Sequence, residues 1–277
     1  MSRVMLNGEL LDEREAMVSA LDRGLTHGVG LYETIKVWGG ACAFFDEHAG
    51  RLEKGLAALH IPCPFTGDDL ARQILAVAAG NEVRDGACRL LVTAGPPWGE
   101  PTLLVQTDVR TFPQRPLTAI SYRIARAAAA FKSNSFVPSL VAKRAAEAAG
   151  ADDAIFVDDD GRILEATTAN CFVYRGGVLT TPPLDGSILP GVIRGKIMQL
   201  AEADGMAVAE RYIRISELAP NDSVLLTSSV RGIVLVSSVD GVPLRLDEDL
   251  RRRLRSLLGA AERASAAAFA ERYGVRA

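Results

Sequence analysis

Residues 111–116 contain two prolines and divide the sequence into two parts. Proline fixes its own φ angle and cannot donate a backbone hydrogen bond, so such a segment rarely continues a helix or a central strand. Domain boundaries commonly fall in segments of this kind. We therefore predict an N-terminal domain over residues 1–112, a linker over 113–117 and a larger C-terminal domain over 118–277.

Both parts mix short strands with helices. Residues 31–38 have the β-branched and aromatic content of a strand, and Gly39-Gly40 turns it. Leucines then recur at helical spacing after Asp46, which can cap a helix. The same reading predicts further strands over residues 87–93, 101–109, 117–126, 154–157, 162–165, 171–174 and 178–180, and helices over 66–79, 138–149, 190–203 and from 247. The pattern is typical of an α+β protein.

Composition and charge exclude several classes of function. The 277 residues are 48% hydrophobic and 23% charged, with a net charge of −3, which gives no electrostatic footprint for nucleic acid or an anionic membrane. The first residues lack the features of a signal peptide, and no apolar run is long enough to span a bilayer. Four scattered cysteines and three scattered histidines indicate neither disulfides nor a metal site. We therefore expect a cytoplasmic protein with reduced thiols.

Lys132 and Glu165 are the first candidates for chemistry. A lysine that forms an imine needs a pocket that lowers its pKa and holds its stem, and apolar residues follow Lys132. A lone lysine before a helix is, however, more often a solvated surface residue. Glu165 lies in LEATTAN, where small hydroxylated residues leave room for a flat ligand. A carboxylate there can keep a pyridinium nitrogen protonated, which makes pyridoxal phosphate an electron sink.

Two later segments suit an anion. SILPGVIRG opens a helix whose first amides and dipole favour a phosphate, and LTSSVRG offers hydroxyls and a strand-to-turn nest. Taken alone, the serines are more simply explained as turn residues, and Arg51 is more simply explained as a surface partner of Glu47 on a helix. Their joint occurrence in register is what favours a cofactor site.

In this order, the motifs resemble those of the class IV aminotransferase family, the fold-type IV pyridoxal-phosphate enzymes. The matching pieces span roughly residues 4–240 and are DRGLTHGVGLYETIKV, FFDEHAGRLEKGLAALHI, AFKSN, DDAIFVDDDGRILEATTANCFV, LTTPPLDGSILPGVIRG and LLTSSVRGIVLV. The resemblance implies an α/β (α+β) fold with a small N-terminal α+β domain and a larger C-terminal pseudo-barrel domain. It also implies pyridoxal 5'-phosphate as cofactor, a small amino substrate and a homodimer.

The resemblance also implies roles for named residues. Lys132 would bind the cofactor covalently and move a proton at the substrate, and Glu165 would bind the pyridine nitrogen. The phosphate would be held by Arg51, the backbone amides of Val192 and Ile193, and the hydroxyls of Ser228 and Ser229. The family usually has threonine at position 193, so Ile193 removes one hydroxyl contact. Val137 stands where branched-chain aminotransferases place a tyrosine.

Residues of the N-terminal part bear on the substrate. Tyr32 resembles a residue that D-amino acid aminotransferases use near the substrate carboxylate, and Thr34 matches a threonine of 4-amino-4-deoxychorismate lyases. Trp98 is a candidate for the pocket wall. Ala94 replaces an arginine that D-amino acid aminotransferases usually have, and Tyr32-Glu33-Thr34 argues against a branched-chain enzyme.

These likenesses favour a lyase that releases pyruvate and 4-aminobenzoate for folate biosynthesis. The alternative is an aminotransferase acting on D-amino acids or R-amines. A third possibility is a family member that binds the cofactor without activity, because fold resemblance does not guarantee function. Retention of both Lys132 and Glu165 counts against that third possibility.

Overall fold

The computed structural model describes residues 2–63, 65–109, 112, 115–124 and 128–275. The chain divides into two compact units. The first unit comprises Met1–Thr111, Phe131–Ser135 and Ala260–Ala277, and the second comprises Phe112–Ala130 and Phe136–Gly259. None of the helices in the described part of the chain combines the length and the apolar composition that a membrane span requires.

The first unit contains one six-stranded antiparallel sheet, in the order β2-β1-β6-β5-β3-β4. Its strands are β1 (Arg3–Leu6), β2 (Glu9–Asp12), β3 (Gly30–Trp38), β4 (Ala41–Cys42), β5 (Gly86–Thr93) and β6 (Thr102–Asp108). Its helices include α1 (Arg23–Thr26), α2 (Phe45–Ala58) and α3 (Gly67–Gly80). The strands predicted at 31–38 and 87–93 and the helix predicted at 66–79 lie within one residue of these bounds.

Strand β3 has two different faces, because successive side chains of a strand point to opposite sides. Leu31, Glu33 and Ile35 are buried on one face, whereas Tyr32 and Thr34 on the other face are only partly buried. Apolar side chains of α2 and α3 join the buried face in one core cluster. The strand therefore directs the Glu33 carboxylate into the core and the Tyr32 ring away from it.

The second unit is built on a closed ring of six strands, β10-β13-β14-β7-β8-β9. The pairing of Asn170 with Glu165 joins β10 to β9 and closes the ring. The strands of this unit are β7 (Leu117–Arg123), β8 (Asp153–Val157), β9 (Ile163–Ala166), β10 (Asn170–Arg175), β11 (Val178–Thr181), β12 (Ala207–Glu210), β13 (Ser223–Ser228), β14 (Gly232–Val239) and β15 (Val242–Pro243). The expected pseudo-barrel is confirmed.

Three longer helices correspond to the helices predicted at 138–149, at 190–203 and from 247. They are α4 (Val137–Ala148), α5 (Val192–Ala203) and α6 (Glu248–Tyr273), and a short 3-10 helix spans Ile215–Glu217. Helix α5 begins two residues later than the predicted start at 190. The reason is that Gly191 has extended backbone angles, φ −66° and ψ 133°, and caps the helix instead of joining it.

The units differ from the predicted domain limits at two segments, because Phe131–Ser135 and Ala260–Ala277 belong to the first unit. Ser133 pairs with Leu31 of β3, which holds the first segment to the sheet. In the second segment, Ser265 Oγ accepts a hydrogen bond from Phe44 N at 2.7 Å. Two residues of the predicted linker, 113 and 114, lie outside the described residues. Lys132 is therefore positioned by the first unit.

Candidate active site

Lys132 is held by the backbone of β3. Its carbonyl accepts a hydrogen bond from Tyr32 N at 2.9 Å, and Asn134 N donates to Gly30 O at 3.1 Å. The side chain is partly buried, and its Nζ lies 4.6 Å from the centroid of the Tyr32 ring. A cation at that distance is attracted to the aromatic face. The structure thus brings together two of the predicted residues, Lys132 and Tyr32.

Arg89 joins the same face of the sheet. Its guanidinium carbon lies 4.5 Å from the centroid of the Tyr32 ring, and in the pairing of β5 with β3 it lies opposite Thr34. Tyr32 is therefore flanked by two cations, Lys132 and Arg89, with Thr34 beside them. Such a face attracts anions. The sequence reasoning missed Arg89, although a lone arginine within the apolar run of β5 was a signal for it.

Arg51 lies on α2 and binds Glu33 of β3, a contact between two elements that the spacing of residues along the helix could not predict. Glu33 Oε1 accepts a hydrogen bond from Arg51 Nε at 2.7 Å, and Oε2 accepts one from Arg51 Nη2 at 2.6 Å. His48 Nδ1 lies 2.7 Å from the same Oε2. The side chains of Glu33 and His48 are each only 1% exposed. This cluster, the Glu33–His48–Arg51 cluster, is a buried ion pair with an added histidine.

Electrostatics in the cluster favour a charged Glu33. Burial alone raises the pKa of Glu33, but hydrogen bonds from His48 and Arg51, with the charge of Arg51, lower that pKa to about 2. Burial lowers the pKa of His48, against the opposing effect of Glu33. The cluster therefore holds an ionised carboxylate, a charged guanidinium and a neutral imidazole at neutral pH.

Trp98 lies in the loop between β5 and β6, and its side chain is 74% exposed. No described ring contact joins it to Tyr32 or Lys132. The start of the loop is anchored by Arg23, whose Nε donates to Gly95 O at 3.0 Å and whose Nη2 donates to Ala94 O. The structure fixes the position of this loop but does not bring Trp98 together with the other predicted residues.

Glu165 lies at the end of β9 and is 5% exposed. Its Oε2 accepts hydrogen bonds from Asn170 Nδ2 at 3.0 Å and from Leu189 N at 3.2 Å. A buried carboxylate is stable only when it is hydrogen-bonded or paired. The structure thus supplies Glu165 with fixed donors, and Asn170 is a residue of this site that the sequence reasoning missed.

Helix α5 begins at Val192, so the amides of Val192 and Ile193 are among the first of a 12-residue helix. First-turn amides have no partner within the helix and favour anions. The Ile193 side chain is buried, at 3% exposure. Isoleucine in place of the family's usual threonine therefore packs in the core, and the backbone amide is the only polar group that residue 193 can offer to a phosphate.

Ser228 ends β13 and Ser229 follows in the turn. Next to them, Thr227 is 3% exposed, and its Oγ1 is buried with no hydrogen-bond partner among the described residues. Leaving a buried hydroxyl without a partner costs stability. Successive side chains of a strand point to opposite sides, so the Thr227 hydroxyl faces away from that of Ser228, and the two serines remain the candidates for the phosphate.

Each unit, taken by itself, carries groups that suit part of pyridoxal phosphate. The first unit carries an amine, Lys132, which suits the aldehyde. The second carries a buried carboxylate, Glu165, which suits the pyridine nitrogen, and the N-terminus of α5 and two serine hydroxyls, which suit the phosphate. The described residues include no group of three or more His, Cys, Asp or Glu side chains placed to bind a metal ion.

A model of the family described as "Amino-transferase class IV" matches residues 30–239. The chain belongs to this family. Class IV aminotransferases use pyridoxal phosphate, and this chain is accordingly a pyridoxal-phosphate-dependent enzyme. The family that the motifs indicated is confirmed.

Three similar proteins carry different names. One, from Methanocaldococcus jannaschii, is named "Putative branched-chain-amino-acid aminotransferase" and is 33% identical over 86% of this chain and 88% of its own length. A D-alanine aminotransferase of Bacillus licheniformis is 32% identical over 86% of this chain and 89% of its own. A solved structure, a "putative 4-amino-4-deoxychorismate lyase" from Legionella pneumophila, has a TM-score of 0.85 at 27% identity, covering 91% of this chain and 97% of its own.

Proposed function

We propose that this chain is an aminotransferase that takes its amino group from an amino acid. The observation that carries the proposal is the position of Lys132 and Arg89 at the Tyr32 ring, 4.6 Å and 4.5 Å from its centroid. A substrate with a carboxylate gains from a second cation beside the reactive lysine, whereas a simple R-amine has no group for Arg89 to bind. The face therefore favours amino acids over R-amines.

Pyridoxal phosphate, when bound, supplies an aldehyde that condenses with amines and a ring that takes up the electron pair released at the substrate. Lys132 is the proposed amine for that aldehyde, and its Nζ is the proposed acid and base that moves the proton at the substrate α-carbon. Glu165, held by Asn170 and Leu189, would keep the pyridine nitrogen protonated. The proposed phosphate contacts are Arg51, the amides of Val192 and Ile193, and the hydroxyls of Ser228 and Ser229.

Amino-group transfer is preferred because two relatives with more than 30% identity are both named as aminotransferases. The lyase is the second candidate. It is supported by the LTSSVRGIVLV motif, by Thr34 and by the likeness to the Legionella structure. The place of such a lyase in folate biosynthesis stays a prediction. Both reactions begin with removal of the same proton, so the proposed roles of Lys132 and Glu165 serve either one.

A half-reaction assay separates the candidates. The purified enzyme is mixed with D-alanine, L-leucine, L-glutamate, R-1-phenylethylamine or aminodeoxychorismate, with no keto acid, and the visible absorbance of the cofactor is followed. We expect an amino acid to convert the cofactor to its amine form and the R-amine to react slowly. Pyruvate release from aminodeoxychorismate, with unchanged spectra for the amino acids, would identify the lyase. No reaction with any compound would indicate a family member without activity.

Two variants test the site that carries the proposal. Lys132→Ala should lose the visible band and all turnover. Arg89→Ala should slow the reaction with amino acids more than the reaction with the R-amine, because only the amino acids have a carboxylate. Arg72→Ala is the matched control, since Arg72 is a 68% exposed arginine of α3 in the same unit. Equal effects of Arg89→Ala on both substrate classes would contradict the proposed role of Arg89.

We further propose a cytoplasmic homodimer. The proposal is supported by membership of the class IV aminotransferase family. Light scattering of the purified enzyme tests the dimer, with a mass of about twice 29.5 kDa as the expected result. A monomeric mass at assay concentration would exclude it.

A further inference from the structure

We propose that Asn170 is a positioning residue that fixes the Glu165 carboxylate and the first turn of α5 to each other. The Asn170 side chain would then align two proposed cofactor contacts, the one between Glu165 and the pyridine nitrogen and the one between the first amides of α5 and the phosphate. The inference rests on the proposed roles of Glu165 and of the amides at Val192 and Ile193. All of the residues involved belong to the second unit.

The amide of Asn170 uses both of its donor hydrogens within the protein. Nδ2 donates to Glu165 Oε2 at 3.0 Å and to Leu189 O at 2.9 Å. Leu189 N donates in turn to the same Glu165 Oε2, at 3.2 Å. The three residues thus form a closed ring of hydrogen bonds. Because Asn170 is only 5% exposed, water cannot easily replace a lost bond in this ring.

The ring reaches the start of α5 through Gly191. Leu189 O, which accepts from Asn170, also accepts a hydrogen bond from Gly191 N at 2.8 Å. A Cβ added to Gly191 would overlap Asn170 Oδ1. Gly191 has extended angles that any residue adopts, φ −66° and ψ 133°, so glycine is required here for space and not for its backbone angles. The Asn170 amide therefore packs directly against the helix cap.

The backbone of Asn170 is equally fixed. It pairs with Glu165 across β9 and β10, and with Thr227 across β10 and β13. Thr227 carries the buried hydroxyl that has no described partner, and Ser228 follows it. Asn170 accordingly lies where the proposed pyridine contact, the start of α5 and the end of β13 meet.

A residue with this position should affect both ends of the cofactor. Two donors on one oxygen of Glu165 set the plane of the carboxylate, and the bond to Leu189 O sets where Gly191 and the following amides lie. Removal of the Asn170 amide would therefore release both the Glu165 carboxylate and the start of α5. A residue with only a packing role would lower stability without changing how the two ends of the ligand are bound relative to each other.

The test measures the two ends separately on the full chain after removal of cofactor. Pyridoxal, which lacks phosphate, reports the Glu165 end, and inorganic phosphate, as a competitor of pyridoxal phosphate, reports the helix end. We expect Asn170→Ala to weaken each of these affinities about tenfold. Glu165→Gln should weaken pyridoxal alone. Gly191→Ala should weaken phosphate and, by displacing the Asn170 amide, pyridoxal as well.

Controls separate positioning from loss of stability. Thr181→Val is the matched variant, because Thr181 Oγ1 makes one fully buried hydrogen bond, to Cys171 O at 2.9 Å, in the same unit. It should lower stability without changing either affinity. Asn170→Asp keeps the shape of the side chain but places a second carboxylate beside Glu165, so Asn170→Ser serves if Asn170→Ala does not fold. The pH midpoint of the visible band of bound pyridoxal phosphate should shift in Asn170→Asp and in Glu165→Gln but not in Thr181→Val.

The outcomes are distinct. If Asn170→Ala changes one affinity only, or neither, the coupling by Asn170 is wrong. If Asn170→Ala and Thr181→Val behave alike, Asn170 has a packing role. If Glu165→Gln leaves pyridoxal binding unchanged, the proposed role of Glu165 fails and the coupling by Asn170 fails with it. Failure of the proposed function is seen separately, when no amino acid converts the cofactor of the wild-type enzyme to its amine form.

Discussion

Glu33 accepts hydrogen bonds from both Nε and Nη2 of Arg51, at 2.7 Å and 2.6 Å. Glu33 lies on the buried face of β3 and Arg51 on α2, so the pair joins the strand to the helix. Two parallel hydrogen bonds to a carboxylate fix the direction of a guanidinium as well as its position. Glu33 therefore sets the direction of the Arg51 guanidinium.

Replacement of Glu33 tests the importance of this pair for stability. Glu33→Gln removes the buried carboxylate that pairs with Arg51, whose side chain is 14% exposed. Breaking a buried ion pair typically costs about 3–5 kcal/mol, and we expect a loss of this size in urea unfolding. The control is Arg252→Ala, which breaks an ion pair with Asp249 that is 72% and 89% exposed and should cost less than about 1 kcal/mol. Equal effects of the two variants would contradict the prediction.

The pKa of Glu33 predicts how stability depends on acid. Its folded value of about 2 lies below the ordinary value of 4.5, so its contribution is complete above 4.5 and is lost as the pH falls towards 2. A shift of this size corresponds to about 3 kcal/mol. The difference in unfolding free energy between wild type and Glu33→Gln should therefore be large at about pH 7 and shrink towards about pH 3. A constant difference over this range would show that the charge of Glu33 is not the cause.

Local patterns predicted the elements, and long-range contacts decided the site. The helix at Gly67–Gly80 and the strand at Gly30–Trp38 follow from spacing within one segment. Glu33 also carried a local signal, because it lies between Leu31 and Ile35 on the apolar face of β3, and a charge buried there needs a partner. The partner itself, 18 residues away on another element, carried none.

Asn170 shows the same limit in the second unit. Its position five residues after Glu165 was visible, but its second acceptor, Leu189 O, is 19 residues away. No spacing rule connects a strand residue to a carbonyl in a later loop. The closure of the ring of strands by the single pair of Asn170 and Glu165 is likewise a long-range event, and it was expected only because the motifs resemble a known family.

The cysteines should differ sharply in reactivity. Cys42, Cys88 and Cys171 are buried, and burial raises the pKa of Cys42 and of Cys171 to about 12 and that of Cys88 well above its ordinary value. Only thiolates react quickly with disulfide reagents. Cys63, which is partly buried, should therefore react first in the native protein, and the other three only on unfolding. Cys63→Ser should remove the fast phase, and a fast phase that persists in this variant would contradict the assignment.

Thr66 should stabilise the start of α3. Its Oγ1 accepts a hydrogen bond from Asp69 N at 3.1 Å, and Asp69 Oδ2 accepts one from Thr66 N at 3.2 Å, which is a complete capping box. Loss of such a cap typically costs about 1 kcal/mol, so Thr66→Ala should lower the free energy of unfolding by about this amount. Thr66→Ser keeps the hydroxyl and should stay close to wild type. Equal stability of the two variants would show that the cap contributes little.

Trp98 should matter for the substrate and not for the fold. A side chain that is 74% exposed makes few contacts within its own unit, so Trp98→Ala should change the free energy of unfolding by less than about 0.5 kcal/mol. If Trp98 contacts the substrate as predicted, its loss removes apolar surface from the bound state. KM for the amino acid should then rise, while the affinity for pyridoxal phosphate stays unchanged. Trp38→Ala is the control, because Trp38 is a partly exposed indole, at 39%, whose ring lies 4.9 Å from Lys36 Nζ at the far end of β3. An unchanged KM in Trp98→Ala would remove Trp98 from the substrate site.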